Sequence, residues 1–317
     1  MQRLKGKVNE KATGVPLILE IKGNSLDDGP GIRSVIFFKG CPLDCAWCHN
    51  PESKKRGVEL SFDAGLCIAC DACIGACTEK ALSRRVKGFV KRDRCTLCFQ
   101  CTDVCPSGAL SRVGRDMTVD QVVEKVKRDI PFYNSSGGGV TLSGGEPTVS
   151  MEYLSGIVRA LKAEKIHTLI ETCGLFDMKR FSEMVYPHID SIYFDIKFID
   201  EALHRKYCGT SNKIILENFS RLQDMFLKGG ISLLARTPLI PGITDSDKNL
   251  SAIAGFLSGR GVQKASLLAY NPLWHEKNGK IGVENRYSKE KAMKSFMKQE
   301  RIEECWDIFL SAGIEVV

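Results

Sequence analysis

The chain has 317 residues, 43% of them hydrophobic, and a formal net charge of +7. A chain of that size buries a core without disulfide staples, and so mild and scattered a charge does not mark a nucleic-acid binder. The N-terminal stretch Met1-Gln-Arg-Leu-Lys-Gly-Lys7 leads only into short apolar runs, at residues 15–21 and 34–38, so neither a signal core nor a membrane span is expected and a reducing cytoplasm is.

In chain order, Ser34-Val-Ile-Phe-Phe38 reads as a buried strand entering a loop that carries Cys41, Cys45 and Cys48. Residues 60–112 then break the pattern, with little periodicity, two more cysteine runs and much basic charge. They are expected to fold around metal rather than around an apolar core. Beyond Thr118, a good N-cap, Val119, Val122, Val123, Val126 and Ile130 share one helical face. Val140-Thr-Leu142 reads as a strand, and Leu154, Ile157, Val158 and Leu161 as the inner face of the helix after it. Strands are predicted at Thr168-Leu-Ile170, Ser191-Ile-Tyr-Phe194, Ile231-Ser-Leu-Leu234 and Ala265-Ser-Leu-Leu268, each followed by helix-like sequence. Such alternation predicts an α/β fold with a parallel (β/α) barrel, full or partial, over residues 1–59 and 113–317, and a small insert over 60–112. Chemistry in these barrels collects at the C-terminal strand ends. Here those ends hold the Cys41 loop, Ser143-Gly-Gly-Glu146, Glu171-Thr-Cys-Gly174, Asp195-Ile-Lys197 and Arg236.

The cysteines carry the strongest chemical signal. Eleven of the 14 fall into Cys41-x3-Cys45-x2-Cys48, Cys67-x2-Cys70-x2-Cys73-x3-Cys77 and Cys95-x2-Cys98-x2-Cys101-x3-Cys105. The two long runs have ferredoxin spacing, in which the distant fourth thiolate crosses to the other cluster. Cys67, Cys70, Cys73 and Cys105 are thus expected on one 4Fe–4S cluster, and Cys95, Cys98, Cys101 and Cys77 on its neighbour. Zinc sites are usually built from pairs of two-spaced cysteines and do not explain this repeat. The first run offers only three thiolates, leaving one iron of a third cluster open to a substrate. Cys173, Cys208 and Cys305 remain, and read as small buried apolar residues. Between the long runs, Lys80, Arg84, Arg85, Lys87, Lys91, Arg92 and Arg94 face only Asp93, either as a solvated hairpin or as a landing patch for an acidic electron carrier.

The stretch from Asp28-Gly-Pro-Gly31 through Cys41-Pro-Leu-Asp-Cys-Ala-Trp-Cys-His49 resembles the N-terminal signature of the glycyl-radical-enzyme activating enzymes, a branch of the radical S-adenosylmethionine (SAM) superfamily. The likeness continues through Gly137-Gly-Gly-Val-Thr-Leu-Ser-Gly-Gly-Glu-Pro147, Glu171-Thr-Cys-Gly174, Asp195-Ile-Lys197 and Arg236-Thr-Pro-Leu-Ile-Pro-Gly242. It covers nearly the whole chain, and the insert is similar to that of the longer members. It implies a partial barrel in which the amino and carboxylate groups of SAM chelate the open iron held by Cys41, Cys45 and Cys48. One electron then cleaves SAM to methionine and a 5′-deoxyadenosyl radical.

It also implies SAM contacts at Trp47, Cys48 and His49 and at Gly144, Gly145 and Glu146, with Trp47 by the adenine and the two glycines and Glu146 by the methionine amine. Gly144-Gly145 is otherwise a strand-end turn. Further contacts are implied at Glu171, Asp195, Ile196, Lys197, Arg236 and Asn271. Asp195 offers an acid for the ribose or a cation and Lys197 an ammonium for the SAM carboxylate, unless the two are a structural ion pair. Asn271, or nearby His275, stands where the family often has His. Glu171 replaces an Asp of a proposed monovalent-cation site. Asp28, Asp195 and Lys197 are the residues assigned to catalysis.

The resemblance further implies an activase that takes a hydrogen atom from a glycine Cα in a partner glycyl radical enzyme, whose C-terminal glycine loop enters near residues 28–31, with flavodoxin or ferredoxin as electron donor. Its rivals are a radical SAM enzyme acting on a peptide or small molecule and a plain iron–sulfur electron-transfer protein.

Overall fold

The structure, a computed structural model, describes residues 16–272, 274–284, 287 and 290–317; the stretch Met1–Lys7 and Val15, with the rest of residues 1–15, lie outside the described residues. The strands are β1 (Leu17–Ser25), β2 (Arg33–Phe38), β3 (Glu59–Phe62), β4 (Leu110–Val113), β5 (Arg115–Asp116), β6 (Gly139–Gly144), β7 (Thr168–Thr172), β8 (Ser191–Asp195), β9 (Ser232–Pro238), β10 (Lys264–Leu268) and β11 (Glu315–Val316). One sheet runs in the order β11-β10-β9-β8-β7-β6-β2-β1-β5. From β2 to β11 its neighbours are parallel, while β1 is antiparallel to β2 and to β5. The fold is therefore α/β with a mostly parallel, open sheet.

From β6 onward each new strand is added on the same side of the last, so right-handed crossovers carry the connecting helices to one face of the sheet. There Leu154, Ile157 and Leu161 of helix Met151–Ala163, Phe219 of Lys213–Leu227 and Ile253 of Asp247–Ser258 share a buried core with Leu142, Ile170, Ile192 and Phe194. Side chains alternate across a strand, so the neighbours of these residues, Thr141, Ser143, Glu171, Tyr193, Asp195 and Arg236, face the other way. That opposite face is polar, and the site is built on it.

The predicted helix after Thr118 is present with a full capping box to Gln121, but it ends at Lys127. Ile130 opens a separate helix, Ile130–Ser136, because Pro131 has no N–H for a continuing helix and fits only its first turn. Residues 60–112 also depart from expectation. They close on their own apolar core of Leu60, Leu82, Phe89, Val90 and Leu110, with Phe62 stacked on Phe89 at 4.4 Å. The antiparallel β3–β4 pair forms the root of this unit, and a Leu82–Val90 bridge closes the basic hairpin. Among the described residues, no helix is long and apolar enough to cross a membrane.

Candidate active site

The cysteine loop leaves the C-terminal end of β2 and is clamped from three sides. Gly40 N and Cys41 N donate to the carbonyls of Ser53 and Lys54 at 2.6 and 3.0 Å. Asp44 N and Ala46 N donate to Cys208 and Tyr207, both at 2.9 Å, while Gly145 N and Glu146 N reach Phe38 and Gly40 from the end of β6. The glycine pair is needed by this clamp. Gly144 has φ +102°, and a Cβ on Gly145 would stand 2.3 Å from the Gly40 carbonyl oxygen. The glycines are thus required by the close approach of the chain's own backbone. Glu146 is 1% exposed, and its carboxylate accepts from Thr148 Oγ1 at 2.7 Å, Thr172 Oγ1 at 2.9 Å and Cys173 N at 2.7 Å. It locks the end of β6 to that of β7.

Cys45 is buried, and Cys41 and Cys48 are half-buried. Two of the leftover cysteines are their neighbours, Cys208 by Cys45 and Cys173 by Cys41. The Cys208 contact draws the Cys45 thiol down to about 7, whereas burial pushes Cys48 up to about 12. Cys305 is a core residue of the helix Gln299–Ser311, as expected. Three thiols on one clamped loop are the soft donor set that suits an iron–sulfur cluster.

Beside this loop the polar face carries a charged array. Lys197 Nζ lies 3.2 Å from Asp195 Oδ2, and Arg236 holds Asp195 Oδ1 at 3.0 Å and Glu171 Oε1 at 2.5 Å. Glu171 also accepts from Ser143 Oγ at 2.6 Å, and the Arg236 guanidinium lies 5.1 Å from the centre of the Tyr193 ring. Burial works against the charges of Asp195, Lys197 and Arg236, yet the partners prevail: Asp195 is held below the usual carboxylate range by Lys197 and Arg236, and both cations are raised. The residue after Lys197, Phe198, packs edge-on against Trp47 of the cysteine loop at 6.2 Å, which brings the end of β8 beside the loop. Arg236 thus bridges Glu171 and Asp195.

Asp28 is not gathered into this array. It lies toward the N-terminal ends of the strands, its side chain hydrogen-bonded by Ser25 and its carbonyl accepting from Thr141 Oγ1 at 2.7 Å. The fully buried Arg33 donates to the same Thr141 Oγ1 at 2.6 Å. The polar face therefore runs from the Asp28 loop at one end to the cysteine loop at the other. Ile196 is core, its N–H bonded to Arg236 O at 2.8 Å. Trp47 is buried edge-on to Phe198 at 6.2 Å, and His49 lies edge-on to Tyr270 at the same separation, next in sequence to the half-buried Asn271. His275 is engaged by the fold through Met293 O at 2.6 Å. Tyr193 and Thr141 were legible from alternation with Asp195 and Ser143 but were missed; Cys208 had no spacing signal at all.

In the insert, one cavity is lined by Cys67, Cys70, Cys73 and Cys105, and another by Cys77, Cys95, Cys98 and Cys101. The eight thiols thus surround two hollows in the crossed groups that the spacing predicts. The runs also repeat one backbone. Ala69 and Leu97 (φ +61° and +56°) and Asp71 and Phe99 (φ +59° and +62°) are all left-handed, a strain that side chains so different do not share by preference. Among the described residues, no three His, Cys, Asp or Glu converge as ligands of a single metal ion would.

The model of the radical SAM superfamily matches residues 92–251. The chain is 40% identical over 275 residues to the isethionate sulfite-lyase activating enzyme of Nitratidesulfovibrio vulgaris, covering 85% of this chain and 88% of that one. It is 37% identical to the trans-4-hydroxy-L-proline dehydratase activating enzyme of Clostridioides difficile (84% and 88% covered) and 35% identical to the 4-hydroxyphenylacetate decarboxylase activating enzyme of the same species (94% and 94%). A likeness this high over so much of each chain, joined to a cysteine loop set against a charged polar face, shows that the chain belongs to the radical SAM superfamily and, within it, to the activating enzymes of glycyl radical enzymes.

Proposed function

We propose that Cys41, Cys45 and Cys48 hold a 4Fe–4S cluster with SAM on its open iron, and that the chain takes a hydrogen atom from a glycine Cα in the C-terminal loop of a large glycyl radical enzyme. The observation that carries this reading is that the strand end bearing Asp195 and Lys197, paired at 3.2 Å, packs through Phe198 against Trp47 of the three-cysteine loop. When bound, the cluster and SAM supply the one-electron chemistry that makes a carbon radical. Lys197 would bind the SAM carboxylate and Asp195 a ribose hydroxyl, with Arg236 keeping Asp195 ionised. Because the Glu146 carboxylate is committed to protein donors, the methionine amine falls to the backbone of Gly144 and Gly145. The partner's glycine loop would enter along the polar face from the side of residues 28–31.

The two four-cysteine hollows support two further clusters in a ferredoxin-like unit over residues 60–112, fed by flavodoxin or ferredoxin. The named relatives serve a lyase, a dehydratase and a decarboxylase, so the likeness selects the activation step and not one partner's substrate. The test is anaerobic reconstitution, which should give about twelve irons and twelve sulfides, falling to about eight of each when Cys41, Cys45 and Cys48 are all replaced by Ala. That variant should make no 5′-deoxyadenosine; if it does, the assignment of the reactive cluster fails. A glycyl radical signal in the partner enzyme, by electron paramagnetic resonance, tests the activase step itself.

A further inference from the structure

The outer edge of β1 is bare over most of its length. β5 pairs only with Leu17 and Ile18, and beyond them no strand lies against that edge among the described residues. Open edges are usually short or covered, because their free N–H and C=O groups invite another strand. Here residues 18–22 floor a cleft of about 490 Å³, within the range of ligand sites. The antiparallel β3–β4 pair lines one side, and Lys277 and Lys280 of helix Trp274–Lys280 line another.

The cleft is cationic. Lys22, Arg115 and Lys125 are exposed and make no ion pair among the described residues, and Arg112 stands near them, paired with Asp116 at 2.8 Å. Among the described residues that line it, the acids are Glu20 and Glu52. Glu52 is spent on Lys277, at 3.6 Å. Residues 1–15, which precede β1 in the sequence, carry Arg3, Lys5, Lys7 and Lys11 against Glu10 and so have the wrong sign.

We propose that this cleft takes an extended acidic segment of a protein partner, added as a strand to β1, with its main chain on Leu19–Lys22 and its carboxylates on Lys22, Arg115 and Lys125. The site is independent of the cofactor assignments above. The probe is a fluorescein-labelled decapeptide of alternating Glu and Val, titrated into the reconstituted full chain, with a Lys–Val peptide as control. The acidic peptide should bind saturably, weaken with salt, and lose about tenfold or more in affinity when Lys22→Glu, Arg115→Glu and Lys125→Glu are combined. Amide exchange over residues 17–25 should slow in the complex. The milder Lys22→Gln/Arg115→Gln variant should show a smaller loss in the same direction with an unchanged melting temperature. Absence of binding, equal binding of the basic peptide, or no slowing in β1 would overturn the proposal. So would full displacement by inorganic phosphate, which would mean a small-anion site, or binding only after deletion of residues 1–15, which would mean that the chain's own segment covers the edge.

Discussion

Gly145 lies so close to Gly40 that its Cβ position is 2.3 Å from the Gly40 carbonyl oxygen, and the two strand-end segments are further tied by Glu146 N donating to that oxygen at 2.8 Å. A methyl group there must push the cysteine loop off β6. Gly145→Ala should cost about 1–3 kcal/mol of stability and reduce reconstituted iron from about twelve to about eight per chain. Iron analysis and urea unfolding check this; full iron with unchanged stability would mean that the loop is free to shift.

Replacing Lys197 separates ligand binding from internal support. A charge-assisted contact is worth about 1.5–3 kcal/mol, so Lys197→Ala should weaken SAM binding by about one to two decades with the iron content intact. If affinity is unchanged while the melting temperature falls, the Lys197–Asp195 pair at 3.2 Å is structural.

The Asp195 carboxyl is held below its ordinary range although burial pushes the other way, because Lys197 and Arg236 outweigh that burial. A lowered folded value means that its contribution to stability is fully present above about pH 4 and is lost as pH falls through that lowered value. Asp195→Asn should therefore be less stable than the parent near neutrality, with the two curves converging below about pH 4. Urea midpoints across that window test it, and parallel curves would contradict it.

The basic hairpin splits into two groups. Arg84 pairs with Asp71 at 2.6 Å, and Arg92 reaches the carbonyls of Leu60 and Lys280, so neither should be reversed in a docking test. Changing the exposed Lys80, Arg85, Lys87 and Arg94 to Glu should slow turnover driven by flavodoxin, most at low salt, and leave dithionite-driven turnover within about twofold. Equal loss with both donors would indicate damage to the insert, and no loss with either would make the hairpin plain solvated surface.

Strand and helix positions were largely legible because both faces of the sheet follow the alternation of Thr141-Leu142-Ser143 and Tyr193-Phe194-Asp195. The crossed cysteine groups line two hollows, and a short fixed spacing leaves few geometries for them. The apolar core of the insert was not legible, since Leu60, Leu82, Phe89 and Leu110 are spread among cysteines and turns without a period. Nor did residue type reveal what Glu146 does. A glutamate after two glycines reads as a ligand contact, and only its contacts with Thr172 and Cys173, far along the chain, show it to be a tie between strands.

The seven-residue helix Trp274–Lys280 touches both halves of the molecule. Lys277 Nζ meets Asn50 Oδ1 at 3.0 Å beside the cysteine loop, while Lys280 Nζ meets Asp63 Oδ2 at 2.7 Å and its carbonyl accepts from Arg92 of the insert at 3.1 Å. At the root of the insert, Glu59 holds the buried Lys39 at 2.7 Å, two residues before Cys41. Residues 60–112 are therefore no detachable cassette. Excising them would remove two anchors of a short helix that braces the loop around Cys48, and a chain shortened in this way would need new mechanical support there before its first cysteine run could keep its shape.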